Sequence, residues 1–282
     1  MHDVRHASPP TWRALAPWLV WGLAIAGLWL LRVRGSLAAC RRLGAAAERL
    51  GVPAWLRALD VDLWLILLAV VLWLVVRRVG RGIERSLWLR APFDDVGLAP
   101  AGFVRGIGLG VGFGLPMGVV ALGQALYAGL PTPPWHAIVA QVLAGPAAEE
   151  IFFRGVLVFA SWRCGLAGFW PLAVVSGAIF GAAHVGWSVE SLADGWPTVL
   201  VTGAGGVWFA WLGRAWGASD GARWRPNLWL PMALHAAMNG AWLLVPGVEG
   251  PAGSLGANLA RAATIAASVL VTVRCGRARA PA

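Results

Sequence analysis

Lysine is missing from this chain. All 23 basic residues are arginine, 13 residues are acidic, and the formal charge of +10 arises without any clustered nucleic-acid motif. Nucleic acid is therefore not an expected partner. Charge of either sign is scarce, at 13% of residues against 59% hydrophobic, and the mean hydropathy of +0.68 reflects more apolar surface than a water-soluble globule needs. Cys40, Cys164 and Cys275 stand far apart in no paired spacing, which excludes a disulfide framework and a thiolate metal site. Several hydrolase signatures are absent as well: there is no Gly-x-Ser-Gly for a serine nucleophile, no pair of membrane aspartates, and no helical His-Glu-x-x-His. No repeat of fixed period, low-complexity linker or C-terminal prenylation box is found. Leu37-Ala38-Ala39-Cys40 looks like a lipoprotein cleavage box, but Arg32 and Arg34 separate it from the apolar run it should follow. Residues 14–31 are expected to remain as an uncleaved span.

What is present is a series of apolar stretches, each close to the roughly 20 residues of helix that cross a bilayer. They lie at 14–31, 61–79, 103–123, 136–162, 168–187, 195–213, 228–246 and 253–273. The expected fold is all-α, a polytopic membrane helical bundle of about eight transmembrane helices. The first span is the shortest and the sixth the most glycine-rich, so either could be re-entrant. Two regions are expected: residues 1–100, with a polar tail, two spans and an arginine-rich connection, and residues 101–282, the core bundle. Fifteen arginines, including Arg77, Arg78, Arg105, Arg163, Arg214, Arg225 and Arg274, fall on one side of this arrangement, and the connections at 124–135, 188–194 and 247–252 hold none. The positive-inside rule then puts both termini in the cytoplasm, in a multi-pass protein of a bacterial plasma membrane whose first partner is the lipid bilayer. Residues 32–60 dissent, with six arginines on the outer side, and Ser36 to Leu59 could form an amphipathic surface helix.

Nineteen tryptophans might suggest a stacking site for sugars or bases. Many of them, including Trp18, Trp135, Trp162, Trp170, Trp187, Trp196, Trp229 and Trp242, fall near span ends, where an interfacial aromatic belt explains them. The glycine run Gly106, Gly108, Gly110, Gly112 and Gly114 is expected to let helices approach closely.

Two adjacent carboxylates, Glu149 and Glu150, interrupt the apolar stretch 136–162, with Arg154 the only other charge there. An acid in a membrane span costs at least ~2.5 kcal/mol on insertion scales, so it usually faces protein or trapped water. Glu150 and Arg154, four residues apart, share a helix face and can pair, while Glu149 points roughly 100° away. Gly145-Pro146 is expected to bend or restart the helix, and a restart would put Glu149 near a helix N-terminus, whose dipole favours an ionised carboxylate. His184 follows Phe180 by one turn, and His235 precedes Asn239 by one turn, each within an apolar span. Either histidine alone could be a packed polar residue. An acid, two imidazoles and an amide together are the ingredients for activating water and stabilising an oxyanion. On these spans His184 lies close to the outer interface and His235 nearer the inner one, so convergence calls for tilted or shifted helices.

Glu149-Glu150-Ile151-Phe152-Phe153-Arg154, then Phe180-x-x-x-His184, then His235-x-x-x-Asn239 resembles the three-motif signature of the CAAX protease and bacteriocin-processing family. Its members are membrane-embedded endopeptidases that include the type II CAAX prenyl endopeptidases, and the resemblance covers roughly residues 100–246. It implies hydrolysis of peptide bonds in a peptide or protein substrate, prenylated or leader-type, with Glu149 and His184 activating a water and His235 and Asn239 holding the oxyanion. Glu150 and Arg154 would be a supporting ion pair. Zinc is left open: Glu149, His184 and His235 could ligate it, while a water-activating glutamate needs no metal. The alternative is a non-enzymatic transporter or immunity scaffold using Glu149, Glu150 and His184 as a proton relay. Such a transporter should show inverted repeats, and none is found. No motif sets an oligomeric state.

Overall fold

Each apolar stretch becomes a helix. The computed structural model describes residues 12–33, 45–46, 48–53, 59–79, 92–129, 132–185, 188–219, 224–244 and 255–276. Among them run eight long helices: α1 Trp12–Val33, α2 Asp60–Val79, α3 Phe103–Ala128, the composite α4, α5 Phe169–Val185, α6 Trp196–Ala215, α7 Trp229–Leu243 and α8 Leu255–Gly276. α4 is unbroken from Trp135–Ala137 through Ile138–Ala144, Gly145–Glu149 and Glu150–Ala160 to Ser161–Arg163, and its second and fourth pieces are π-helical. The doubted first and sixth stretches are continuous helices of 22 and 20 residues. Among the described residues two segments, Pro100–Ala128 and Leu255–Cys275, are by length and composition apolar enough to cross a membrane, with Pro17–Leu30 and Phe169–Val185 as shorter apolar helices. A single two-residue antiparallel pair, Ala218–Ser219 with Trp224–Arg225, joins α6 to α7. The Leu37–Cys40 box and most arginines of the 32–60 loop lie outside the described residues, although residues 45–46 and 48–49 of the expected surface helix are helical.

Glycine spacing sets how the core helices pack. Gly106, Gly110 and Gly114 repeat every four residues along one face of α3, and a Cβ at these positions would lie 2.6 Å from Asn227 Oδ1, 2.5 Å from the Leu230 carbonyl and 2.5 Å from the Ala237 Cβ respectively. α7 therefore rests directly on the α3 backbone. Gly108 and Gly112 face open space, with nothing within 4 Å, so only three of the five glycines in the run serve packing. Gly110→Ala is expected to destabilise the protein by about 1–3 kcal/mol through overpacking. Gly112→Ala should be neutral or stabilising by up to about 1 kcal/mol, because alanine loses less backbone entropy in a helix. Thermal melting of the two variants side by side checks this, and equal midpoints would refute it. α5 and α6 cross in the same manner, with Gly177 against Gly203 and Gly181 against the Val199 carbonyl. α4 packs against α2 and α5, while α1 is peripheral and rests on α2.

The arginine-rich end is stitched by the Pro92–Asp95 turn. Asp95 meets Arg77 at 3.4 Å and Arg163 at 3.6 Å, and Asp94 meets Arg225 at 2.7 Å, tying α2, α4 and the strand pair together. Burial pushes the Asp95 carboxyl above its ordinary range, and the Arg77 and Arg163 guanidiniums oppose that shift. Gly97, at φ +87° in the left-handed region, lets its carbonyl accept from the Leu228 N–H at 2.8 Å and so fixes where α7 begins. Nearby Cys164 is buried, and that burial pushes its thiol up to about 12, which leaves it unreactive. Trp18, Trp135, Trp170 and Trp196 are exposed near helix ends, as an interfacial belt requires. Trp162 and Trp229 instead hold ends together, Trp162 beneath Arg214 and Trp229 donating to the Ala99 carbonyl, while Trp187 lies outside the described residues.

Candidate active site

Gly145-Pro146 does not break α4. The hydrogen bonding loosens to a π pattern on either side of the Gly145–Glu149 turn, absorbing the donor that proline lacks. Glu149 therefore sits within a continuous helix rather than at a helix N-terminus. The two acids do diverge as the sequence suggests. Glu150 is fully buried, while the Glu149 side chain is 27% exposed.

Glu150 Oε1 meets Arg154 Nη1 at 3.0 Å, and both side chains are sealed from solvent. Burying an ion pair is costly unless other contacts compensate it, and Glu150 Oε2 and Arg154 Nη2 have no hydrogen-bond partner among the described residues. Here the guanidinium carbon lies 4.0 Å from the Phe180 ring centroid, 5.4 Å from Phe209 and 5.9 Å from Phe153, a cage of negative π faces. Arg154 Nε donates to the Gly206 carbonyl at 3.4 Å. A Cβ on Gly206 would stand 3.1 Å from Arg154 Nη2, so glycine there admits the guanidinium.

The same Glu150 oxygen accepts from His235 Nδ1 at 2.9 Å. Since an ionised carboxylate only accepts, Nδ1 carries the proton and Nε2 is turned outward, 3.7 Å from Glu149 Oε2. His184 Nδ1 donates to the Phe180 carbonyl at 2.8 Å, which fixes its tautomer and frees Nε2 as a base. Asn239 Nδ2 donates one of its two N–H groups to the Gln141 carbonyl at 2.9 Å and keeps the other. The Phe180 ring lies between the imidazoles, with centroids 4.6 Å from His184 and 6.3 Å from His235.

His184, His235 and Asn239 all line one cavity of about 1000 Å³ between α5, α6, α7 and α8. Glu149 reaches it through His235. His184 is the penultimate residue of α5, whereas His235 lies midway along α7, bonded to Glu150, and both line the one cavity. The partners differ from those expected, however. Among the described residues Glu149 makes no hydrogen bond or ion pair to His184, and Glu150 is bound to His235 as well as to Arg154. A zinc triad of Glu149, His184 and His235 does not fit. No three His, Cys, Asp or Glu side chains among the described residues are placed to hold a metal ion.

Sequence reasoning missed the Glu150–His235 bond, since nothing in the spacing relates residues 85 apart. It also missed Phe209 and Gly206, whose roles depend on packing. Residues 131–241 match the family described as type II CAAX prenyl endopeptidase Rce1-like. No curated protein and no solved structure matches the chain.

Proposed function

We propose, for a chain whose residues 131–241 form an Rce1-like domain of the type II CAAX prenyl endopeptidase family, that this all-α membrane protease hydrolyses peptide bonds of membrane-associated substrates at the cavity shared by α5, α6, α7 and α8. All eight long helices cross the bilayer, with the arginine-rich end cytoplasmic. The carrying observation is that His184, His235 and Asn239 line one cavity while Glu149 Oε2 stands 3.7 Å from His235 Nε2.

In the mechanism Glu149 is the general base. It removes a proton from a water held between its carboxylate and His184 Nε2, and the hydroxide adds to the substrate carbonyl carbon. The oxygen that becomes negative is met by the second N–H of Asn239 and by a proton on His235 Nε2, the ring being held by its Nδ1–H bond to the Glu150 carboxylate. The C–N bond then breaks, and Glu149 returns its proton to the departing amine, leaving a carboxylic acid and an amine. Glu150 is a positioning residue: its bond to Nδ1 aims the His235 ring. No step passes through a metal.

The test is cleavage of a lipid-anchored fluorogenic peptide by the purified protein in vesicles. His184→Ala and His235→Ala are each expected to lower kcat at least 100-fold, within the range for lost acid–base groups, with melting unchanged for His184→Ala. Full turnover by either variant would remove that residue from the mechanism.

A further inference from the structure

α8 lies beyond the residues matched by the family, yet it builds one wall of the cavity. Arg261, Ile265 and Val269 face inward at four-residue spacing, the interval that puts side chains on one helix face. The helix is held against α6 further along, where Trp208 Nε1 donates to Ser268 Oγ at 3.1 Å and Trp216 Nε1 to Thr272 Oγ1 at 2.7 Å, and it packs along α3. These attachments fix the face that α8 turns to the cavity.

Arg261 is the one permanently charged side chain among the described residues lining that cavity, whose other walls are mainly apolar, with Thr198 and Thr202 adding hydroxyls. It falls within Leu255–Cys275, one of the two segments long and apolar enough to span a membrane. An ion in such a place is costly and characteristically faces a cavity or pathway. Its guanidinium carbon lies 4.7 Å from the Trp242 ring centroid, a stack that holds the planar fork in a defined orientation. Trp242 is three residues past Asn239 and seven past His235 on α7. The cation therefore stands beside a residue about two helical turns along α7 from His235, at 3.6 residues per turn.

Resting on the hydrolase reading above, we infer that Arg261 is a specificity-determining residue that binds a carboxylate of the substrate at the Trp242 side of the cavity, away from the bond being cut. A guanidinium matches a carboxylate through two parallel N–H···O bonds, and the apolar walls leave no competing cation for it. The carboxylate is either an acidic side chain or the α-carboxylate of a chain end.

The experiment uses the full chain in zwitterionic vesicles and palmitoylated apolar peptides in four forms: with Glu or Gln within the segment, and with a free or amidated C-terminus. Arg261→Gln is expected to raise KM at least tenfold for peptides carrying the recognised carboxylate, with kcat changed less than twofold. It should leave turnover of the Gln, amidated peptide unaltered, and Arg261→Lys should recover part of the loss. The arm that loses discrimination identifies side chain or chain end as the source. An equal KM change for acidic and neutral peptides, no change at all, or an effect seen only when anionic lipid is added would overturn the inference, the last by assigning Arg261 to a lipid headgroup. Cleavage of the neutral peptide by the unsubstituted protein reports separately on the hydrolase reading. An Arg261→Gln variant that fails to melt cooperatively leaves Arg261→Lys as the deciding comparison, and unchanged discrimination in that variant counts against the proposal.

Discussion

Glu149→Gln is expected to lower the rate of peptide-bond hydrolysis by about 10²–10⁴-fold, the usual contribution of a positioned general base, with little change in melting temperature. The substitution keeps the shape of the side chain and removes its capacity to take a proton. Its structural cost is small because Glu149 is only partly buried and its contact to His235 is long, at 3.7 Å. Glu150, fully enclosed and bonded to two partners, carries the structural burden instead. Single-turnover cleavage by purified protein in vesicles separates chemistry from binding, and a Glu149→Gln variant that retained normal turnover would contradict the assigned base. The same variant also tells a hydrolase from a proton relay, because membrane proteomes from cells with and without it should differ only in substrates left uncut.

Arg154→Ala is expected to be the most destabilising single change in the chain, at about 3–5 kcal/mol, because it strands a buried carboxylate. Glu150 is inaccessible to water, and its Oε2 already lacks a hydrogen-bond partner. The Arg154 cation, held among Phe153, Phe180 and Phe209, is the main compensation for that charge, and His235 Nδ1 adds one hydrogen bond to Oε1. A fall in the thermal midpoint on the order of 10 °C would correspond to that loss. The informative comparison is the double variant Glu150→Gln with Arg154→Ala, which removes both charges and should melt higher than Arg154→Ala alone. If the double variant melts no higher, the lost stability comes from the cavity left by the side chain and not from the stranded charge.

The helices were readable because each is a long, dominantly apolar run: the stretch 103–123 is found in α3 and 168–187 in α5, within a few residues. The Glu150–Arg154 pair was readable for a related reason, since four-residue spacing is a local rule that survives even in a loosened helix. Gly145-Pro146 misled. Proline's cost was correctly identified, but a helix can also meet it by changing its hydrogen-bond pattern, and no local signal distinguishes that from a bend. The bond from Glu150 to His235 was invisible because it depends on how α4 and α7 cross, which the glycines of α3 and α6 decide from a distance. Zinc was a matter of composition, since two histidines and a glutamate suffice by residue type, whereas a site needs three such side chains gathered at one point, a grouping not found among the described residues. Arg261 could have been found by asking of the last span the question asked of the fourth, why an ion stands in an apolar helix.

One carboxylate oxygen of Glu150 joins Arg154 of α4 to His235 of α7, with Phe180 of α5 and Gly206 of α6 pressed against the same guanidinium. Four helices thus share a keystone, and the machinery that aims the imidazole also holds the bundle shut. Diversification has little room there, because almost any change at that centre would cost folding before it altered chemistry. On the proposed hydrolase reading, latitude to cut different sequences would reside at the periphery, on the Thr198–Val201 side of α6 and along α8, where side chains border the cavity away from that centre.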